Sequence, residues 1–167
     1  FFASLGANRW VPPCEMTQAS LAAILAEKPD NLATEVFAYG RLPLAFSARC
    51  FTARHYDLPK DDCRFCCLDH PGGLELATRE HEPFLVLNGI QTQSYRVLNL
   101  ADALQEMREL GIDAVRLSPQ PEHMDQVIAA FRAALDGAAP TAITALLASA
   151  LPAPACNGYW HGRPGLE

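Results

Sequence analysis

Asn99-Leu100-Ala101-Asp102-Ala103-Leu104-Gln105-Glu106-Met107-Arg108-Glu109-Leu110-Gly111-Ile112-Asp113-Ala114-Val115-Arg116-Leu117 decides the fold class. Asn99 is a helix N-cap residue, Ala101 to Leu110 are predicted to be helical, and Gly111 supplies the stop. Ile112 to Leu117 then reads as a strand, and Met124 to Leu135 as a second helix that ends at Gly137. The upstream chain repeats the pattern. Arg9-Trp10-Val11 is a short strand ending at Pro12-Pro13, Thr17 precedes one apolar helical face (Ala19, Leu21, Ala22, Ile24, Leu25), and Leu32 to Tyr39 reads as the next strand, closed by Gly40.

Alternating strands and helices imply an α/β fold with a parallel sheet and flanking helices. A complete (β/α) barrel takes about 250 residues, so the 167 residues here supply part of one barrel-like domain. Phe1 to Asn8 reads as the tail of an amphipathic helix stopped by Gly6, so the sequence is expected to begin mid-domain with the N-terminal half of the barrel outside it. Leu74 to Thr78 and Pro83 to Leu87 are predicted to form a hairpin across Arg79-Glu80-His81-Glu82. Ala138 to Ala155 is Ala-rich and reads as a surface helix followed by a linker, and Cys156 to Gly165 as an ordered turn segment.

Half of the residues are apolar and the net charge is -6. The thirteen basic residues are scattered singly, which argues against a nucleic-acid surface, since phosphate binding needs clustered Lys and Arg. No apolar run approaches the roughly 20 residues of a membrane span, and no signal-peptide pattern opens the chain. A cytoplasmic setting follows. Its thiols are then reduced, and clustered cysteines in that setting point to a metal or to redox chemistry.

Four of the six cysteines, Cys50, Cys63, Cys66 and Cys67, fall within residues 41–73, a segment without sustained periodicity that reads as one long functional loop. The spacing C-x12-C-x2-C-C suits thiolates converging from a loop on a soft metal or an iron-sulfur cluster. Side chains of the adjacent Cys66 and Cys67 diverge, so three ligands are expected from this stretch. Cys63 and Cys66 also make a C-x2-C half-site that Cys50 with His55 or His70 would complete for zinc, and spacing alone does not separate the two metals.

The segments Glu35-Val36-Phe37-Ala38-Tyr39-Gly40, Phe46-Ser47-Ala48-Arg49-Cys50-Phe51-Thr52-Ala53-Arg54 and Lys60-Asp61-Asp62-Cys63-Arg64-Phe65-Cys66-Cys67 resemble the collagenase-like peptidase superfamily. C-x12-C-x3-C, here Cys50, Cys63 and Cys67, is similar to its UbiV-like rather than its UbiU-like members, and Asn157-Gly158-Tyr159-Trp160-His161-Gly162 is similar to the group's C-terminal signature. The resemblance implies a 4Fe-4S cluster on Cys50, Cys63 and Cys67, with a fourth ligand upstream of Phe1 and Cys66 as a spectator or fallback. It further implies a heterodimer with a UbiU-like protein that has its own cluster, a lipid-carrier partner, and oxygen-independent hydroxylation of a ubiquinone ring precursor. Cys14 stands where the group commonly has Arg, and reads as a small core residue.

Other candidates have plainer alternatives. Glu15 and Glu35 lie near strand ends, where barrel catalytic groups gather, and are equally readable as a capping and a salt-bridged residue. His161 reads as structural. His55 and Tyr56 sit inside the loop, as solvated residues or as hydrogen-bond donors to a cluster. Arg41, Arg49 and Arg54 flank it as exposed cations that attract an anion or as ordinary loop solvation. No Ser-His-Asp arrangement, HExxH or phosphate-cradling glycine motif occurs in the sequence, which leaves a peptidase-like hydrolase without a nucleophile. A zinc-stabilised binding module stays open beside the iron-sulfur reading.

Overall fold

A computed structural model describes residues 1–164. The expected α/β class is observed. Strands pair in the order β1-β2-β5-β4-β3, where β1 is Arg9–Trp10, β2 Ala33–Phe46, β3 Leu74–Ala77, β4 Pro83–Asn88 and β5 Gln91–Asn99. β6 (Ala114–Leu117) adds to β2 and β7 (Ala155–Cys156) to β5. Both β1 and β6 run parallel to β2, whereas β3, β4 and β5 form an antiparallel meander, so the sheet is mixed.

The chain divides into two compact units, one of Phe1–Gly40 with the chain from Leu98 onward, the other Arg41–Val97. In the first, α1 (Gln18–Ala26) starts where the Thr17 hydroxyl accepts the Ser20 N–H, as helix-cap chemistry requires, whereas Asn99, expected as an N-cap, accepts from Ala101 one residue ahead of the N-cap position, which Leu100 occupies. The helix expected over Ala101 to Leu110 opens as a 3-10 turn, Ala101–Ala103, and becomes α3 at Leu104–Glu109. α4 occupies the expected Met124–Leu135, and α5 spans Pro140–Leu147.

A bulge between Phe37 and Tyr39 shifts the β2–β6 register, so Phe37 lies opposite Arg116 while Tyr39 lies opposite Leu117. Such a bulge re-aims the following side chain. Tyr39 is fully buried and meets Phe131 of α4 edge to face at 5.8 Å between ring centroids. Val36, Leu21, Leu104, Met107 and Val127 are buried in the same unit. Buried Trp160 ties down the C-terminal segment, its ring N–H donating to Glu106 and its carbonyl accepting from Gln18.

In the second unit two expectations fail. Gly40 does not close β2, which continues through Pro43 to Phe46, and Gln91–Asn99 forms a strand that composition did not announce. The segment 41–73 is also less irregular than expected, containing the end of β2, α2 (Phe51–His55) and 3-10 helices at Lys60–Asp62 and Cys66–Asp69. The hairpin of β3 and β4 forms as expected, with Leu74 opposite Leu87.

Gly40 lets β2 continue because it adopts φ +121° and a Cβ there would lie 2.5 Å from Ser118 Cβ. Gly40→Ala should therefore lower stability by about 2–4 kcal/mol through combined backbone strain and overpacking. Gly72→Ala, with open space around its Cα, should stay within about 0.5 kcal/mol of the unsubstituted protein in the same chemical denaturation measurement.

Candidate functional site

Backbone hydrogen bonds set the position of Cys50 before any side chain acts. Ser47 N–H donates to Ile90 O at 2.8 Å and Phe51 N–H to Gly89 O at 2.7 Å, pinning the chain on both sides of Cys50 to the β4–β5 turn. Cys50 is thereby the N-cap of α2, whose Thr52 and Ala53 are buried. Cys63 ends the 3-10 helix Lys60–Asp62, and its carbonyl accepts from Cys66 at 3.3 Å. Arg64 and Phe65 between them adopt φ +53° and +51°, and this left-handed step reverses the chain so that Cys66 and Cys67 open the next 3-10 helix.

Three turns therefore bring four half-buried thiols into one loop. Burial pushes the Cys66 thiol up, and negative charge at Cys50, Cys67 and Cys63 pushes it further. All three neighbours thus act on one thiol, the one expected to be a spectator. Among the described residues, no three His, Cys, Asp or Glu side chains surround a single metal-ion position. The donor set itself, four half-buried sulfurs on short turns, has the soft chemistry of an iron-sulfur or zinc loop.

Two histidines and a tyrosine border these thiols. The Tyr56 hydroxyl lies 2.6 Å from His70 Nε2, and the two rings stack at 5.7 Å. His55 packs edge-on against Tyr56 at 5.0 Å. The sequence singled out Tyr56 for its nearness to the cysteines but gave no sign that His70 is its partner. Leu68 and Phe65, beside the cysteines, are 77% and 71% exposed.

Arg41 overturns its expectation. It is buried, not exposed, and donates to the carbonyls of Ser94 and Tyr95 while lying over the Tyr95 ring. Its charge serves β5 rather than an anion. Arg49 and Arg54 are exposed as expected.

Glu35 takes the salt-bridged alternative. Arg9 on β1, Glu35 on β2 and Arg116 on β6 share one face of the three parallel strands, as the registers Arg9 to Ala33 and Phe37 to Arg116 require. Arg9 donates to one carboxylate oxygen at 2.6 Å and Arg116 to the other at 2.6 Å. The Glu35 side chain is 10% exposed while the two arginines remain more than half exposed, so the carboxylate is the enclosed member. The Arg9 hydrogen bond, aided by Arg116, holds its carboxyl below the usual range despite burial. A carboxylate so held is a poor proton acceptor near neutrality.

Cys14 is half-buried at the wall of a cavity of about 20 Å³ with Met16, Leu21 and Val36, about the size of one water. Burial, with Glu15 adding to it, pushes this thiol up, which keeps it protonated and weakly nucleophilic. Glu15 and His161 are exposed.

A sequence model of peptidase family U32 matches residues 1–166. The chain belongs to that family. No solved structure matches it. Membership in the U32 family establishes descent and leaves the chemistry to the site, because one fold carries many activities. In this family member the arginine clamp leaves the Glu35 carboxylate ionised but weakly basic, and burial favours the protonated, weakly nucleophilic form of Cys14.

Because the Glu35 carboxyl is held below its unfolded value near 4.5, its stabilising contribution is complete above that pH and lost as pH falls through the lower folded value. Glu35→Gln should cost about 1–3 kcal/mol at neutral pH and should flatten the acid limb of the stability curve below about pH 4.5. Denaturant titrations at a series of pH values read both effects. An unchanged acid limb would remove the clamp from the account.

Proposed function

We propose that the chain is the thiolate-bearing part of an iron-sulfur protein that acts with a UbiU-like partner in oxygen-independent hydroxylation of a ubiquinone ring precursor. The single observation that carries the reading is the gathering of Cys50, Cys63 and Cys67 in one loop, in the spacing C-x12-C-x3-C. In this reading those three thiolates hold a 4Fe-4S cluster, which when bound supplies one-electron transfer. A fourth ligand comes from the barrel segment preceding Phe1, and Cys66 is the fallback. A lipid-carrier protein presents the hydrophobic intermediate, and the setting is the cytoplasm.

The chain's own residues do the positioning. The β4–β5 turn holds Cys50 through its neighbours, and the left-handed step at Arg64 and Phe65 leads into the 3-10 helix that carries Cys66 and Cys67. Half-burial limits water around the sulfurs, which is one of the protein's means of setting a cluster's potential. Among the described residues no helix is long and apolar enough to cross a membrane, consistent with a partner bringing the hydrophobic intermediate to the site.

Anaerobic reconstitution of the full-length protein with iron and sulfide tests this reading. The expected product is brown, with a broad visible absorption of thiolate-ligated iron. Cys50→Ala, Cys63→Ala or Cys67→Ala should each abolish it, and Cys66→Ala and Cys14→Ala should leave it largely intact. A colourless protein holding tightly bound zinc, or loss of iron in Cys66→Ala alone, contradicts the assignment.

A further inference from the structure

Cys50 and the Cys66–Cys67 pair sit on two small elements of unequal anchorage. α2, which begins at Cys50, is fixed by buried Thr52 and Ala53 and by the hydrogen bonds to the β4–β5 turn. The 3-10 helix Cys66–Asp69 has no buried residue, and the chain enters it through two non-glycine residues in left-handed conformation, which favours glycine. Little in that helix itself holds it in place. Its position must come from elsewhere in the loop.

One side-chain pair spans the gap. Tyr56 is the C-cap of α2 and His70 the C-cap of the 3-10 helix Cys66–Asp69. Their side chains meet at 2.6 Å between the Tyr56 hydroxyl and His70 Nε2, with the ring planes 22° apart, and His55 closes the other side of Tyr56. The His70 N–H in turn donates to the Cys67 carbonyl at 3.1 Å, so the ring's position is passed directly to the backbone of the thiol turn. The Tyr56 N–H donates to Thr52 O at 3.3 Å, so the other end of the pair rests on the buried turn of α2.

We propose that Tyr56 and His70 are positioning residues, a clasp that holds the Cys66–Cys67 turn against Cys50 and closes the thiol loop before a metal arrives. The inference rests on the reading of this loop as a ligand set, but the closure itself is a property of the metal-free chain. Neither side chain touches the metal in this scheme. Pre-closing the loop lowers the ordering cost that metal binding would otherwise meet.

Three variants of the full-length protein separate the contributions. Tyr56→Phe keeps the stacked ring and removes the hydroxyl, His70→Ala removes both contacts, and His70→Gln restores a polar group near the position of Nε2. In the metal-free protein, the yield of a short bis-maleimide cross-link between Cys50 and Cys66 or Cys67, mapped by peptide mass spectrometry, should fall about fivefold in Tyr56→Phe and further in His70→Ala. That factor corresponds to one net hydrogen bond. His70→Gln should recover most of the yield.

In the iron-loaded protein, bleaching of the visible spectrum by a chelator should accelerate in the same order. Wild-type cross-linking in both Tyr56→Phe and His70→Ala, or a His70→Gln no better than His70→Ala, overturns the clasp. A wild-type protein that takes up no iron defeats the iron-sulfur reading, and cross-linking still decides the clasp.

Discussion

Strand β2 is the element to which β1, β5 and β6 all pair. Its fourteen residues run out of one compact unit and into the other, and arginines hold the two halves in different ways. In the first half Glu35 on β2 accepts from Arg9 and Arg116, which joins three parallel strands through side chains as well as through the backbone. In the second half Arg41 of β2 itself turns inward and donates to β5 carbonyls. Between the two lie the Phe37/Tyr39 bulge and Gly40, where the backbone must adopt a conformation few side chains tolerate. The strand's end then delivers Ser47, Cys50 and Phe51 to the β4–β5 turn, and the thiol loop begins there.

The parts of this arrangement governed by local chemistry were legible in the sequence. α4 spans the residues its periodicity and Gly137 indicate, Thr17 caps α1 as its hydroxyl chemistry dictates, and the β3–β4 hairpin follows its alternation. What misled was context. Gly40 reads as the end of the strand, yet it answers a close approach from Ser118, a residue far along the chain. β5 opens with Gln, Thr, Gln and Ser, and long-range pairing makes it a strand despite that polarity.

The candidate site divides in the same way. Cysteine spacing is a covalent fact and needs no fold, so the loop stood out at once. Partners do not stand out. The arginines that hold Glu35 are 26 and 81 positions from it, and Tyr56 meets His70 across 14 positions of irregular chain. Arg41 read as an exposed loop cation because its strand was thought to have ended, and its burial follows once β2 continues. Each of these errors or omissions comes from long-range geometry that one-dimensional patterns do not contain.

U32 membership and the geometry bear on the chemistry from opposite sides. The family's peptidase name suggests hydrolysis, yet the enclosed carboxylate is clamped by two arginines that weaken it as a base and burial favours the protonated thiol at Cys14, while four other thiols share one loop. Mössbauer spectroscopy combined with elemental analysis, on iron-isotope-enriched full-length protein purified without exposure to air, decides whether the thiol loop holds a cluster. Iron and sulfide in equal amounts, with the quadrupole doublets of a thiolate-ligated 4Fe-4S cluster, are expected. Stoichiometric zinc, with no iron signal, would contradict the iron-sulfur reading.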